Sequence, residues 1–268
     1  VSELAGTSTS NLSDLYCRAH YATMQDRTQR NYTMLYDPEV YTSYWIAYPL
    51  CSAHMASGRE ESWGFDPEVP TYKQTSVVRG YGVPSFSTTN YEENFYARGH
   101  QIPNADRNGV DDMMAQTFYS TNITPQIHYG FNEGIWVNLE KAVRNAVPSG
   151  DTLYVVTGAA FRKKGGSETI VYGTNGNDGK RLPIPNYYWK ALLKVRRSGD
   201  TVTAASAIGF WFAHEDHSSG DYTQYAVSVK QIEEWTGFDL FCNLPGTNTE
   251  GIESTARVIS NWYEFKRF

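Results

Sequence analysis

The chain has 268 residues, a formal net charge of −6, and 40% hydrophobic against 19% charged residues. A chain of this size and composition buries a substantial core as one large or two small domains, which excludes an intrinsically disordered protein. No apolar run reaches the roughly 18 residues of a membrane helix, and the negative charge excludes nucleic-acid binding driven by the overall surface, leaving room only for a local basic groove.

The first dozen residues, rich in Ser, Thr and Gly, read as a flexible leader, and residues 1–29 as an N-terminal extension of a single domain over 30–268. The chain opens at Val1 with neither an initiator Met nor a signal-peptide pattern, so a processed or trimmed N-terminus is expected. Residues 31–36 and 44–48 are aromatic, apolar runs split by Asp37-Pro38, which predicts a hairpin. Residues 56–94 hold many Gly, Pro, Ser and Thr and read as a long surface connection. From Asn132 onward, Ile135, Leu139, Ala142, Val143 and Ala146 recur at helical spacing and are closed by Pro148. Residues 152–157, 187–195 and 204–212 predict strands, and 225–229 leads into a short helix near 231–235. No internal repeat or break in composition divides the chain, so the expectation is one α+β domain.

Three cysteines, Cys17, Cys51 and Cys242, fit no zinc-binding spacing; they allow one disulfide and leave at least one thiol unpaired within the chain. Basic residues cluster at Arg162-Lys163-Lys164, at Lys194-Val195-Arg196-Arg197 and around Arg98. Such clusters are usually solvated surface, and only their placement beside a site gives them a phosphate to bind.

Two segments carry chemistry. In Tyr96-Ala97-Arg98-Gly99-His100-Gln101-Ile102-Pro103, a glycine between Arg and His permits a tight turn that aims both side chains at one site. The guanidinium is a permanent cation with a planar fork for phosphate, and a neutral imidazole accepts a proton near pH 7. Taken alone, an Arg-Gly-His triplet also arises by chance, and a lone His is more often structural. The second segment runs from Thr117 through Thr121-Asn122-Ile123-Thr124-Pro125-Gln126 to Phe131-Asn132, Trp136, Glu140 and Arg144. Four-residue spacing on a helix puts Asn132, Trp136, Glu140 and Arg144 on one face. An amide oxygen, a carboxylate and a cation there suit a hydrated hard cation beside a phosphate, whereas the bland alternative is a solvated face with an ordinary Glu–Arg pair.

Together these segments resemble the DNA/RNA non-specific endonuclease family, which includes Serratia nuclease and mitochondrial endonuclease G. The family's Asp-Arg-Gly-His signature is matched by Ala97-Arg98-Gly99-His100, its Ser-Asn-x-x-Pro-Gln element by Thr121 through Gln126, and its Asn-x-x-x-Trp-x-x-Leu-Glu helix by Asn132 through Glu140. The likeness continues at Val155-Val156-Thr157-Gly158, at Pro185 through Lys190 and at Val227 through Asp239, and covers roughly residues 30–245. It implies a ββα-metal endonuclease fold, a central antiparallel sheet flanked by helices with the active site on a strand-loop-helix unit. It further implies hydrolysis of DNA and RNA phosphodiesters with little sequence preference, and Mg²⁺ as cofactor with Mn²⁺ as an alternative. Carried over residue by residue, His100 is the general base and Asn132 the protein ligand of the metal. Glu140 orients metal-bound water, Arg98 and Arg144 steady the scissile phosphate, and Asn122 supports the site by hydrogen bonding. The resemblance also implies a secreted, periplasmic or cell-surface protein, and the sequence leaves the oligomeric state open between monomer and homodimer.

The chain departs from the family at Ala97, where the signature has Asp. Loss of that carboxylate weakens the enzyme, with Glu92 or Glu93 as substitutes, or leaves a silent nucleic-acid-binding relative. The family's upstream phosphate-contacting Arg is matched in shifted register by Arg59, ahead of Trp63 and Asp66-Pro67. Two other features read as bland. His214-Glu215-Asp216-His217 lacks a third metal ligand and reads as a surface turn, with a zinc-type hydrolase as the rival reading. Residues 173–180 miss the phosphate-loop pattern, with Arg181 where Ser or Thr should stand, and read as a flexible loop.

Overall fold

The computed structural model describes residues 12–82, 95–199, 201–217, 220–242 and 261–268. In chain order the strands are β1 Tyr16–Met24, β2 Arg27–Asp37, β3 Thr42–Leu50, β4 Tyr96–His100, β5 Ile123–Ile127, β6 Leu153–Ala160, β7 Tyr172–Thr174, β8 Arg181–Pro183, β9 Tyr187–Ser198, β10 Thr201–Ala213 and β11 Ala226–Val227. The α-helices are α1 Asp111–Gln116, α2 Val137–Asn145, α3 Val229–Thr236 and α4 Trp262–Arg267.

Among the described residues a seven-stranded antiparallel sheet runs in the order β1-β2-β3-β6-β9-β10-β11, with β4-β5 and β7-β8 as separate two-stranded ribbons. Alternation along each strand serves both faces. Val155, Tyr188 and Leu192 face the cluster that also holds Ile135, Trp136, Leu139 and Val143 of the segment around α2. Val156, Trp189, Ala191 and Leu193 face the other side, covered by Val229 and Ile232 of α3. Helix α3 begins where Ser228 Oγ accepts from the Gln231 N–H at 3.0 Å and ends at Gly237, whose φ of 75° is the left-handed closing conformation.

The predicted hairpin is β2-β3, and the three later predicted strands are β6, β9 and β10. Several expectations need correction. Strand β1 lies inside the stretch read as an extension and pairs along its length with β2, so the sheet starts well before residue 30. The part of the connection after residue 56 that lies among the described residues is packed: Asp66, Val69, Gln74, Thr75, Val77 and Tyr81 are all buried. Residues 83–94, with Glu92 and Glu93, lie outside the described residues, as does most of the leader. Cys17, Cys51 and Cys242 are all free thiols, so no disulfide joins them.

The helix predicted from Asn132 starts only at Val137. Gly130 (φ 74°), Glu133 and Gly134 leave helical geometry inside residues 128–136, so Asn132 stands on an irregular lead-in. Gly130 is required there because a Cβ would collide with the Asp216 carboxylate. Trp136 is not on a polar face at all; it is buried against Phe131, Tyr188 and Phe212.

Candidate active site

Strand β4 presents Arg98 and His100 on one side because they are two residues apart in extended chain. The glycine between them answers a different need from a turn. A Cβ at Gly99 would collide with the Gln126 side chain, which packs beneath it from β5. Trp63 fills the space over the two functional side chains: the Arg98 guanidinium lies 3.8 Å from the centre of the indole, a cation–π contact, and the His100 ring 5.3 Å from it. Phe118 stands edge-on to His100 at 5.2 Å, with Arg59 over its ring at 5.3 Å. Arg59, the match in shifted register, is therefore gathered with Arg98 and His100.

The imidazole sits in an unusual electrostatic position. Burial pushes His100 down to about 3, with Arg59 and Arg98 repelling the protonated form further and a hydrogen bond with the Arg98 main chain opposing the drop. Its Nε2 is buried and has no hydrogen-bond partner among the described residues. A buried, unpaired ring nitrogen is costly and is ordinarily satisfied. Here it is a neutral nitrogen in the electrostatic field of two guanidinium groups.

Arg98 is braced from below. Its Nη1 donates to the carbonyls of Val77 and Val78, each at 3.1 Å. That segment is in turn clamped by the loop between β7 and β8. Asn175 Nδ2 donates to Ser76 O, Asp178 accepts from the Ser76 N–H at 2.8 Å, and Asn177 exchanges bonds with Arg79. The loop read as flexible is thus a fastener for the segment that braces the Arg98 side chain.

Asn122 is fully buried and ties the two segments together. Its Nδ2 donates to Ile102 O and Thr117 O, while its Oδ1 accepts from the Ile102 N–H at 2.9 Å. Asn132 Nδ2 donates to Gln126 Oε1 at 2.7 Å. Glu140 and Arg144 project from α2, but Arg144 is engaged: its Nη1 pairs with Asp106 Oδ1 at 3.0 Å. The structure therefore joins Arg59, Arg98 and His100 in one cluster and Glu140 and Arg144 in a second, with Asn132 linked to β4 through Gln126. Among the described residues no hydrogen bond or ion pair joins His100, Asn132 and Glu140 directly.

Sequence reasoning missed the second cluster's foundation. Asp106 is buried and also accepts from Tyr48 Oη at 2.8 Å. Lys190 is wholly buried, donating to Gln101 O at 3.1 Å and Thr157 Oγ1 at 3.0 Å, with its ammonium 4.5 Å from the Trp136 ring centre. Burial lowers the Lys190 ammonium and raises the Glu140 carboxyl, and the attraction between them opposes both shifts. A lysine inside Tyr187-Tyr188-Trp189-Lys190-Ala191-Leu192-Leu193 was the available signal, since an isolated charge in an apolar strand needs a buried counterpart.

The His214–His217 pair is neither a surface turn nor a metal site. His214 Nε2 accepts from the Ile127 N–H at 2.8 Å while Nδ1 bonds Pro185 O at 2.7 Å. His217 bonds Tyr225 Oη and Ala213 O. Every ring nitrogen is used: His214 ties the end of β5 to Pro185 ahead of β9, and His217 ties the end of β10 to Tyr225. Among the described residues no group of three or more His, Cys, Asp or Glu could hold a metal ion.

A β4-β5 ribbon carrying Arg98 and His100, an irregular lead-in carrying Asn132 and a helix α2 carrying Glu140, set over an antiparallel sheet, form an α+β arrangement of the ββα-metal class. The fold agrees with that class: a chain from the crystal structure of the EndoG/EndoGI complex superposes with a TM-score of 0.63 at 19% identity, over 85% of this chain and 87% of that one. The DNA/RNA non-specific endonuclease family model matches residues 16–247. The chain belongs to that family and is an endonuclease, a hydrolase. It is similar to a nuclease of Nostoc sp., 26% identical over 84% of this chain and 76% of the relative. It is also similar to a nuclease of Serratia marcescens, 28% identical over 80% of this chain and 74% of the relative.

Proposed function

We propose that the protein hydrolyses phosphodiester bonds of both DNA and RNA with little sequence preference, using His100 as general base in a site that takes a hydrated Mg²⁺. The observation that carries this reading is the buried Nε2 of His100, unpartnered among the described residues and set beside Arg59 and Arg98. A phosphate held by those two cations brings its attacking water to that unpartnered nitrogen. Their contacts are to phosphate oxygens rather than base edges, and phosphate contacts position without specifying sequence.

The donor set fits a hydrated hard cation better than a closed metal cage. With Asn132 Nδ2 bonded to Gln126, the amide oxygen is the atom that residue would offer a metal. Glu140 is the carboxylate available to hold water, and no cluster of three acidic, His or Cys ligands competes among the described residues. Mg²⁺ keeps several waters and takes few protein ligands, which suits this arrangement, with Mn²⁺ as a substitute. When bound, such an ion supplies charge stabilisation to the phosphoryl oxygens and the leaving 3′ oxygen. The side chains do the rest. His100 Nε2 accepts a proton from water, Arg59 and Arg98 hold the phosphate, Asn122 fixes the chain between the two segments, and Arg144, paired to Asp106, shapes α2 beneath them. A secreted, periplasmic or cell-surface location, carried over from the family resemblance, belongs to the same proposal.

The test is digestion of supercoiled plasmid and of RNA, with Mg²⁺ or with EDTA, by the wild type and by His100→Ala. A well-placed base contributes about 10²–10⁴-fold, so His100→Ala should lose activity on that scale. Equal nicking by both proteins, or nicking that survives EDTA, would overturn the assignment.

A further inference from the structure

We propose that Glu61 is an internal stand-in for a substrate phosphate, holding Arg59 and the Trp63 indole N–H in an anion position that a phosphodiester takes over on binding. The proposal rests on the nuclease reading and deepens it. Glu61 Oε1 lies 2.9 Å from Arg59 Nη2, and Glu61 Oε2 accepts from Trp63 Nε1 at 2.6 Å. One oxygen on a guanidinium and the other on a second donor is also how two oxygens of a phosphodiester are held. Both donors belong to the site. Arg59 shares the Phe118 ring with His100, and the Trp63 ring covers both Arg98 and His100.

The pair is built to exchange. The Arg59 and Glu61 side chains are 45% and 50% exposed, and an exposed pair of this kind contributes little stability. A phosphate can displace the carboxylate without unfolding anything. The displacement has a readable signature. Where a phosphate meets a free arginine, one condensed counterion is released; where it replaces a carboxylate already on that arginine, the exchange is ion for ion. The wild type should therefore bind nucleic acid with a shallower salt dependence than its number of phosphate contacts implies, and with weaker ground-state affinity.

The experiment is fluorescence anisotropy of a labelled single-stranded oligonucleotide and of its duplex, titrated across a range of salt in EDTA. It compares His100→Ala as a binding-only background with His100→Ala/Glu61→Gln and with His100→Ala/Glu61→Gln/Arg59→Ala. Glutamine keeps a carbonyl for the Trp63 N–H and removes only the charge. The expected result is several-fold tighter binding by the Glu61→Gln protein, with the slope of log affinity against log salt steeper by about 0.7–0.9, the value of one phosphate contact. Adding Arg59→Ala should erase both gains. Binding that weakens, or a slope that does not move, would overturn the proposal and leave Glu61 as an orienter of Trp63. That outcome is distinct from failure of the nuclease reading, in which the His100→Ala protein binds neither oligonucleotide and the wild type cuts no plasmid.

Discussion

Asn132 Nδ2 donates to Gln126 Oε1 across 2.7 Å, and this one bond decides which end of the Asn132 amide faces outward. Gln126 is fully buried beneath Gly99 and in register with Ala97 across the β4-β5 ribbon. The signature strand and the proposed metal ligand are thereby coupled through the Gln126 side chain. Gln126→Leu should raise the Mg²⁺ concentration for half-maximal cleavage by about 10–100-fold, the usual effect of removing a hydrogen bond that orients a metal ligand. A Mg²⁺ titration of plasmid nicking checks it, and an unchanged midpoint would show that Asn132 does not depend on Gln126.

The same register explains how position 97 can matter. Residues paired across an antiparallel ribbon put their side chains on the same face, so an aspartate at 97 would lie beside Gln126 and Asn132. Ala97→Asp should increase the cleavage rate at limiting Mg²⁺ by up to about 10–100-fold. An inactive wild type that gains cleavage only with this substitution would identify the natural protein as a weak or silent relative.

The pH profile should differ between free enzyme and complex. His100 acts as a base only above its own pKa, and in the free protein burial first, then Arg59 and Arg98, hold that value down at about 3. A bound phosphate neutralises the two arginines and removes their part of the depression, so the imidazole becomes more basic in the complex. The acidic limb of kcat should therefore lie at higher pH than that of kcat/KM. Steady-state rates between acid and neutral pH decide it, and limbs that coincide would count against Arg59 and Arg98 as the phosphate-binding pair.

Lys190 should prove structural in a measurable way. Its ammonium exerts the strongest attraction of any charge on the Glu140 carboxylate and also bonds the Gln101 carbonyl, next to His100 in sequence. Removing one member of a buried charge pair typically destabilises by about 3–5 kcal/mol. Lys190→Met should lose stability on that scale in urea unfolding, and Lys190→Met/Glu140→Gln should recover part of it. Additive losses would mean the two charges do not interact.

The sheet was legible because its strands are apolar, aromatic-rich runs bounded by turn residues, so β2, β3, β6, β9 and β10 all fall close to their predicted places. The family motifs were legible for the same reason that they are specific: several residue types in fixed order. What local patterns could not report was where tertiary contacts override periodicity. The helical spacing through Asn132 is genuine, yet Gly130 is bent to admit Asp216, and the helix waits until Val137. The loop at 173–180 has a flexible composition, but Asn175, Asn177 and Asp178 spend their polar groups on residues about a hundred positions upstream. His214 and His217 looked exposed because their partners, Ile127 and Tyr225, are not adjacent to them in sequence. Arg59, Arg98 and His100 could be nominated singly, but only Trp63 and Phe118, unremarkable as letters, bring them together.

Leu50, the last residue of β3, lies directly opposite Leu153, the first of β6. Every residue assigned to the site, from Arg59 to Arg144, belongs to the excursion that leaves the sheet at one of these leucines and returns at the other. Holding the ends of so long a detour together costs an unfolded chain about 4 kcal/mol in closure entropy. Contacts inside the excursion shorten that loop and so lower the cost of pairing β3 with β6, which ties completion of the sheet energetically to assembly of the cleft.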